Sequence, residues 1–241
     1  MSMRTLLIAD LHLSEQHPRL TRGFLDLLRA HQDAPTALYI LGDWFNVWLD
    51  DRDQSAWLTP IVDALQAFTQ AGNQVYFLAG NRDFVLGQRF LNRFGGQCLQ
   101  EPHFMMWQGL RLRLEHGDSL CTDDVSYQRF KKIIRNPLLL GTLKRLPFAF
   151  KQQLGSFFRS KSRERQSNHH YQPIDVNMAE VQRQMQNVDV LIHGHTHRPE
   201  VQALSSTQTR IVLGDWREDS GSAQILYLDN PKHWHLSEWR F

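Results

Sequence analysis

The order of apolar and polar positions divides the chain into two territories. In the first hundred residues, short apolar runs alternate with longer segments of helical spacing. Residues 4–9, with Leu6-Leu7-Ile8-Ala9, read as a strand buried on both faces, 36–41 as a second strand and 75–79 as a third. Between them Leu20, Phe24, Leu27 and Leu28 recur with helical period over 18–30. Residues 54–71 read as a helix stopped by Gly72-Asn73, and 87–94 as a short helix ended by Gly95-Gly96. Strands alternating with helices argue for a largely parallel sheet.

The pattern then changes. Segments 103–107 and 110–115 flank Gln108-Gly109, a hairpin signal. Residues 123–166 read as helical, broken by Pro137 and Pro147, and 175–186 as another helix. Val188-Asp189-Val190-Leu191-Ile192 is a buried strand, and segments around Val201, Ile211, Ile225 and Leu236 alternate like strands of a second sheet. No internal repeat or low-complexity tract interrupts this order.

Size and composition narrow the reading. A chain of 241 residues, 41% hydrophobic and 22% charged, suits one α/β domain with a packed core and an insertion. Two cysteines, Cys98 and Cys121, are too few for a disulfide framework, so reduced thiols in the cytosol are expected. The apolar run that ends at Asp10 is too short for a signal peptide or a membrane span.

Chemistry enters where the strands end. Asp10 and His12 follow the first strand, Asp43 follows Gly42 after the second, and Asn81 follows Gly80 after the third. His116 follows 110–115, and His195 and His197 follow Val188–His193 and Gly194. In open α/β sheets, ligand sites form outside the carboxyl ends of strands. Five strand ends would therefore deliver these side chains to one crevice, with glycines 42, 80 and 194 letting the backbone turn sharply beside them. Two carboxylates, an amide oxygen and four imidazoles, with no thiolate, suit Mn, Fe, Co or Zn better than Ca, and disfavour a closed structural zinc site. Seven donors suit two cations sharing a carboxylate. Two such metals about 3.5–4 Å apart can activate water and clamp a phosphoryl group.

Asp10-x-His12, Gly42-Asp43, Gly80-Asn81-x-Asp83, His116 and Gly194-His195-x-His197 resemble, in order, the blocks of calcineurin-like metallophosphoesterases. The resemblance implies two packed mixed β-sheets flanked by helices (αββα). It implies that Asp10, His12, Asp43 and His197 hold one metal, and Asp43, Asn81, His116 and His195 the other. Most of that family has His after the Asn; here it is Arg82. With His116-Gly117-Asp118-Ser119-Leu120-Cys121-Thr122-Asp123-Asp124, Asp175-Val176-Asn177 and Val212-Leu213-Gly214, the chain resembles, nearly end to end, the UDP-2,3-diacylglucosamine hydrolase branch of the family. That branch acts in the lipid A pathway of Gram-negative bacteria. What it implies is Mn-dependent cleavage of UDP-2,3-diacylglucosamine to UMP and 2,3-diacylglucosamine 1-phosphate, with Asp43, Asn81, Arg82 and His195 taking part in catalysis. Asn81, Arg82, Asp124, Tyr127, Ser162, Gln166, His169 and His195 are the implied substrate contacts, although Gln166 and His169 stand where the pattern has Asn and Lys.

Other readings are kept beside these. His17, His31, His103, His233 and His235 lack the strand-end setting and are read as surface or structural; His193 is expected to point away from the metals. Asp83 either orients a ligand or caps the following helix. Trp44, Phe45 and Trp48 are expected in the core, and Trp234 and Trp239 in strand packing. The rivals are another phosphoesterase on the same scaffold, a scaffold that has lost its metals, and a nucleic-acid module. None of the seven donors is lost, and the basic insertion carries Leu and Phe instead of stacking aromatics interleaved with a polar reading face.

Charge is unevenly spread. Residues 129–165 hold eleven Lys and Arg against Glu164 alone, a net +10, leaving −8 for the rest of a chain whose total is +2. Leu138-Leu139-Leu140, Leu143, Leu146, Phe148, Phe150, Leu154, Phe157 and Phe158 interleave with the charges. Within a single domain, residues 123–170 are thus expected to form a helical lid that sheathes acyl chains and rests on an anionic membrane. The protein is expected to be a monomer, peripheral to the cytoplasmic face of the inner membrane, with no nucleic-acid partner.

Overall fold

The computed structural model describes residues 3–146, 175–229 and 234–241. Strands β1 (Arg4–Ile8), β2 (Thr36–Leu41), β3 (Gln74–Leu78) and β4 (Gln97–Cys98) run parallel, with helices α1 (Pro18–Ala30), α2 (Thr59–Gln70) and α3 (Gln88–Leu91) in the connections. The chain then enters the hairpin β5 (His103–Trp107) and β6 (Leu110–Glu115), followed by α4 (Val125–Ile134) and α5 (Pro137–Arg145). Helix α6 (Met178–Gln184), β7 (Val190–His193), β8 (Glu200–Ala203), β9 (Thr209–Val212), β10 (Ser222–Tyr227) and β11 (Leu236–Arg240) complete the described residues.

Two sheets result. One has the order β11-β10-β1-β2-β3-β4, the other β5-β6-β7-β9-β8. Period-two alternation along the strands builds the layers. Leu6, Ile8, Leu38, Ile40, Val75 and Phe77 face α1 and α2, meeting Phe24, Leu27, Leu65 and Phe68. The intervening Leu7, Tyr39 and Leu78 face the second sheet, meeting Leu112, Leu114, Ile192 and Ile211. Leu191 points to the far side, against Val181 and Met185 of the α6 segment. The αββα order expected from the resemblance is therefore the order observed. Each fully buried Leu, Ile or Phe in these layers contributes about 1.5–3 kcal/mol.

One expectation needs correction. The strands around Ile225 and Leu236 belong to the first sheet, where β10 pairs antiparallel with β1 and β11 pairs with β10. Alternation marks a strand as half-buried but does not name its neighbour. The break expected at Pro137 is observed: α4 ends at Ile134, and Pro137 opens α5, where its missing N–H costs nothing. The side chain of Asn136 accepts from Leu138 N at 3.0 Å and caps that start. Residues 147–166 of the stretch, including Pro147, Phe148, Phe150, Leu154, Phe157 and Phe158, lie outside the described residues.

The tryptophan expectations hold: Trp44, Phe45 and Trp48 are buried in the core, and Trp239 packs against it. Trp234 lies 5.4 Å, ring to ring, from Trp107. His31 is buried and structural.

Candidate metal centre

All seven donor residues come together at the carboxyl ends of β1, β2, β3, β6 and β7. Backbone hydrogen bonds align the loops: Asp10 N donates to Gly42 O at 3.1 Å, His12 N to Asp43 O at 2.9 Å, and Gly194 N to His116 O at 2.9 Å. His195 N, at the end of the second sheet, donates to Asp10 Oδ2, at the end of the first, at 2.8 Å. Asp10, His12, Asp43, His195 and His197 all have φ between 49 and 70°. Residues other than glycine rarely occupy that left-handed region, at a cost of about 1–3 kcal/mol each.

The glycines act differently from the sequence expectation. Gly42 does turn with φ 84°. Gly80 and Gly194 are not left-handed; they permit close approach. A methyl group on Gly80 would run into the Asp43 carboxylate and amide, and one on Gly194 into Asp10 and Ala9.

The donor atoms form two overlapping groups. Asp10, His12 and His197 offer atoms within 4.8 Å of one another, and so do Asp10, Asp43 and His116. Asp43 reaches in both directions, with Oδ2 4.0 Å from His12 Nδ1 and Oδ1 3.6 Å from His116 Nε2. Asn81 Oδ1 lies 2.8 Å from His116 Nε2 and 3.0 Å from His195 Nδ1. The geometry makes Asp10 common to both groups, where the resemblance assigns sharing to Asp43.

The donor chemistry fits cations. His116 Nδ1 lies 2.9 Å from the Leu41 carbonyl, which can only accept, so Nδ1 carries a proton, and Nε2 faces Asn81 Oδ1 and Asp43, where a cation would take the place of its proton. Asp10 Oδ1 and His12 Nδ1 are buried without a hydrogen-bond partner among the described residues. Unpaired buried lone pairs are costly unless something positive meets them. Burial disfavours the His116 imidazolium, yet the surrounding carboxylates, Asp43 first, outweigh it and lift its pKa to about 9. Burial pulls His12 down to about 4 against the opposing pull of Asp43. Burial also lowers His195, with the His116 charge adding to it. For Asp10, burial is outweighed by the His197 contact and the nearby imidazoles, which hold it well below the usual carboxylate range.

Asp83 is settled as a brace. Its Oδ1 accepts from Gly80 N at 2.8 Å and its Oδ2 from Trp44 N at 2.8 Å, tying the loops that carry Asn81 and Asp43. The next helix, α3, starts only at Gln88. Burial and the Asp43 charge raise its pKa to about 7. His193 points away from the donors: it is buried and accepts from Arg210 Nε at 2.9 Å.

Arg82 borders the crevice. Its Nη1 donates to Asn46 Oδ1 at 2.9 Å, and Nε lies 3.5 Å from Asp43 Oδ2. Tyr127 stacks its ring 6.4 Å from that of His195 and gives its hydroxyl to Asp118. Asp124 caps α4, accepting from Tyr127 N at 3.0 Å. Ser162, Gln166 and His169 lie outside the described residues.

Sequence reading missed several neighbours of the donors. Asp215 Oδ2 lies 3.5 Å from His197 Nδ1. Gly214-Asp215 after the apolar β9 run is the same strand-end signal that marked Asp43, so Asp215 was legible. Asn46, beside Arg82, carries no such signal. Neither does Glu101, which accepts from His116 N at 2.8 Å.

Comparison with known proteins agrees with this geometry. The model of the calcineurin-like phosphoesterase family matches residues 3–199. A protein of Ectopseudomonas mendocina (strain ymp) named UDP-2,3-diacylglucosamine hydrolase is 42% identical over 91% of this chain and 93% of its own. Proteins of the same name from Pseudomonas fluorescens (strain SBW25) and Azotobacter vinelandii are 40% and 39% identical, covering 91% and 92% of this chain and 90% and 95% of theirs. The chain is a hydrolase that belongs to the calcineurin-like phosphoesterase family, in the group whose relatives carry the name UDP-2,3-diacylglucosamine hydrolase.

Proposed function

We propose that this chain hydrolyses the pyrophosphate of UDP-2,3-diacylglucosamine to UMP and 2,3-diacylglucosamine 1-phosphate, a step of lipid A biosynthesis, with two Mn2+ ions per chain. The observation that carries the reading is the convergence of seven O and N donors, with buried lone pairs unmatched, beside one guanidinium. The names of relatives about 40% identical supply the substrate.

Asp10, His12, His197 and Asp43 would hold one ion, and Asp43, Asn81, His116 and His195 the other. Such a pair supplies Lewis acidity to water and to phosphoryl oxygens. The remaining work falls to the chain. Arg82 holds phosphate oxygens, which a permanently charged, planar fork binds bidentately. It cannot serve as an acid at ordinary pH. The departing group must therefore leave without a proton, which a phosphate monoester does and an alkoxide does not. His195, held neutral by burial, is in the state a ligand needs.

The insertion at 123–170 is read as a lid. Val125, Phe130, Ile133, Leu138 and Leu139 are exposed on α4 and α5, with Arg129, Lys132 and Arg145 exposed among them. Such a surface suits the edge of an anionic bilayer, each basic residue adding about 1 kcal/mol. No helix among the described residues is long and apolar enough to cross a membrane, so association would be peripheral. Tyr127 and Asp124, together with Ser162, Gln166 and His169, are the proposed contacts of the sugar–phosphate part of the substrate. The deciding experiment is incubation with UDP-2,3-diacylglucosamine and Mn2+, assaying UMP. Release of UMP only from other nucleotide diesters would overturn the assignment.

A further inference from the structure

Helix α4 is attached by charge more than by apolar burial. None of its residues is buried. Yet Tyr127 and Lys131 of this helix and Arg135, the residue that caps its C-terminal end, spaced one per turn, all converge on Asp118, whose carboxylate is fully buried. Tyr127 donates its hydroxyl to Oδ2, Lys131 Nζ donates to Oδ1 at 2.9 Å, and Arg135 Nη2 stands 3.6 Å from Oδ2.

Arg135 reaches further than the other two. Its Nη2 donates to the carbonyl of Gly80 at 2.9 Å, directly before Asn81 and Arg82. Its Nη1 donates to Glu101 Oε2 at 3.1 Å, and the other oxygen of Glu101 accepts the main-chain N–H of His116 at 2.8 Å. One guanidinium thus links the loop carrying Asn81 and Arg82 in the first sheet to the strand end carrying His116 in the second. Only a planar fork can serve three acceptors spread in this way; a lysine ammonium on a flexible stem cannot hold the same spacing.

We infer that Arg135 is a positioning residue: it sets the Gly80–Arg82 loop against His116 through Glu101 and makes docking of α4 and assembly of the donor cluster one event. The inference rests on the reading of Asn81, Arg82 and His116 as working residues. Insertion and metal centre are then coupled through a contiguous ionic chain, with no contact between α4 and the metal required.

The test uses the full-length protein and Mn2+ alone as probe. Arg135→Ala is expected to weaken Mn2+ binding by about 10- to 100-fold in calorimetry, the usual cost of losing a partner that orients a ligand. It is expected to lower kcat more than it raises KM, with partial rescue of kcat by added guanidinium. Arg135→Lys is expected to stay near the Ala variant, and Ser126→Ala, exposed on the same helix, to match the wild type. A folded Arg135→Ala with wild-type Mn2+ affinity and kcat overturns the inference. Should Arg135→Ala fail to fold, Glu101→Gln decides: it keeps an acceptor for His116 N while weakening the hold of Arg135, and unchanged Mn2+ affinity there overturns the proposal equally. Failure of the wild type to bind Mn2+ would instead sink the metal reading. In that case amide exchange of His116, measured without metal, decides the inference: faster exchange in Arg135→Ala supports it and unchanged exchange overturns it.

Discussion

His12 and His197 meet nitrogen to nitrogen, Nε2 to Nε2, at 3.4 Å. Two neutral imidazoles can share this approach only with one proton between them or a cation beside both. Asp10 Oδ1 lies 3.3 Å from the same His197 nitrogen, and in the proposed metal reading one cation meets all three atoms. Removal of divalent metal by chelation is therefore expected to lower the melting temperature, and Mn2+ to restore it. Asp43 points one oxygen toward His12 and the other toward His116, and the proposed reading gives it to both ions. Asp43→Ala is expected to keep the fold and lose at least about 100-fold in kcat. Metal analysis finding one ion per active wild-type chain would refute the two-metal reading.

Arg82 carries the second prediction. Arg82→Ala is expected to reduce turnover by about 100- to 1,000-fold, the scale of losing one preorganised charge at a reacting centre. Arg82→His is not expected to restore it, because an imidazole lacks the fork. Near-wild-type rates in Arg82→Ala would show that phosphate is held elsewhere.

The third concerns Asp83 as a brace. Asp83→Ala leaves the N–H groups of Gly80 and Trp44 buried without their acceptor, a loss of about 1–3 kcal/mol for each such group. Denaturant titration of the metal-free protein should show it. Stability equal to the wild type would mean that the two loops hold their positions independently.

His31 gives a pH prediction away from the metals. Its Nδ1 lies 2.9 Å from the Leu27 carbonyl, and its Nε2 3.2 Å from the Tyr227 hydroxyl. Burial is the first cause holding its pKa below the ordinary value of 6.5. Above that value the ring is neutral in both the folded and unfolded chain and contributes no pH dependence. As pH falls below it, the unfolded chain takes up a proton that the folded chain resists, so stability is lost down to the folded pKa. Between pH 7 and 5 the wild type is expected to lose more stability than His31→Gln, a pairwise comparison in which the other histidines cancel. Equal losses would count against a neutral, buried His31.

The proposed lid role can be separated from the chemistry. Ile133→Asp with Leu138→Asp and Leu139→Asp is expected to raise KM for the acylated substrate and spare hydrolysis of a small phosphodiester. Charge reversal at Arg129, Lys132 and Arg145 is expected to abolish sedimentation with anionic vesicles. Equal damage to both substrates would make the insertion a structural element only.

The strand ends were legible because each donor follows an apolar run long enough to read as a strand, and the fold brings those ends together by topology alone. Asp215 obeyed the same rule. The assignment of β10 and β11 was not legible, because pairing between strands far apart in sequence leaves no local mark. Arg135 and Glu101 are 34 residues apart; each reads in sequence as one more solvated charge. The roles of Gly80 and Gly194 were also hidden, since close approach to Asp43 and Asp10 is a tertiary fact and only a turn can be read locally.

The left-handed backbone at Asp10, His12, Asp43, His195 and His197 sets this protein's durability against its activity. Each of these residues holds a conformation that glycine adopts freely, so the native donors sit where the chain itself would favour their loss. A laboratory selection for heat resistance in metal-free medium would enrich glycine at His12 and His197 first, giving sturdier proteins that no longer turn over. Evolution toward thermostability in this chain must therefore proceed through the helices and the sheet core and leave those five positions strained.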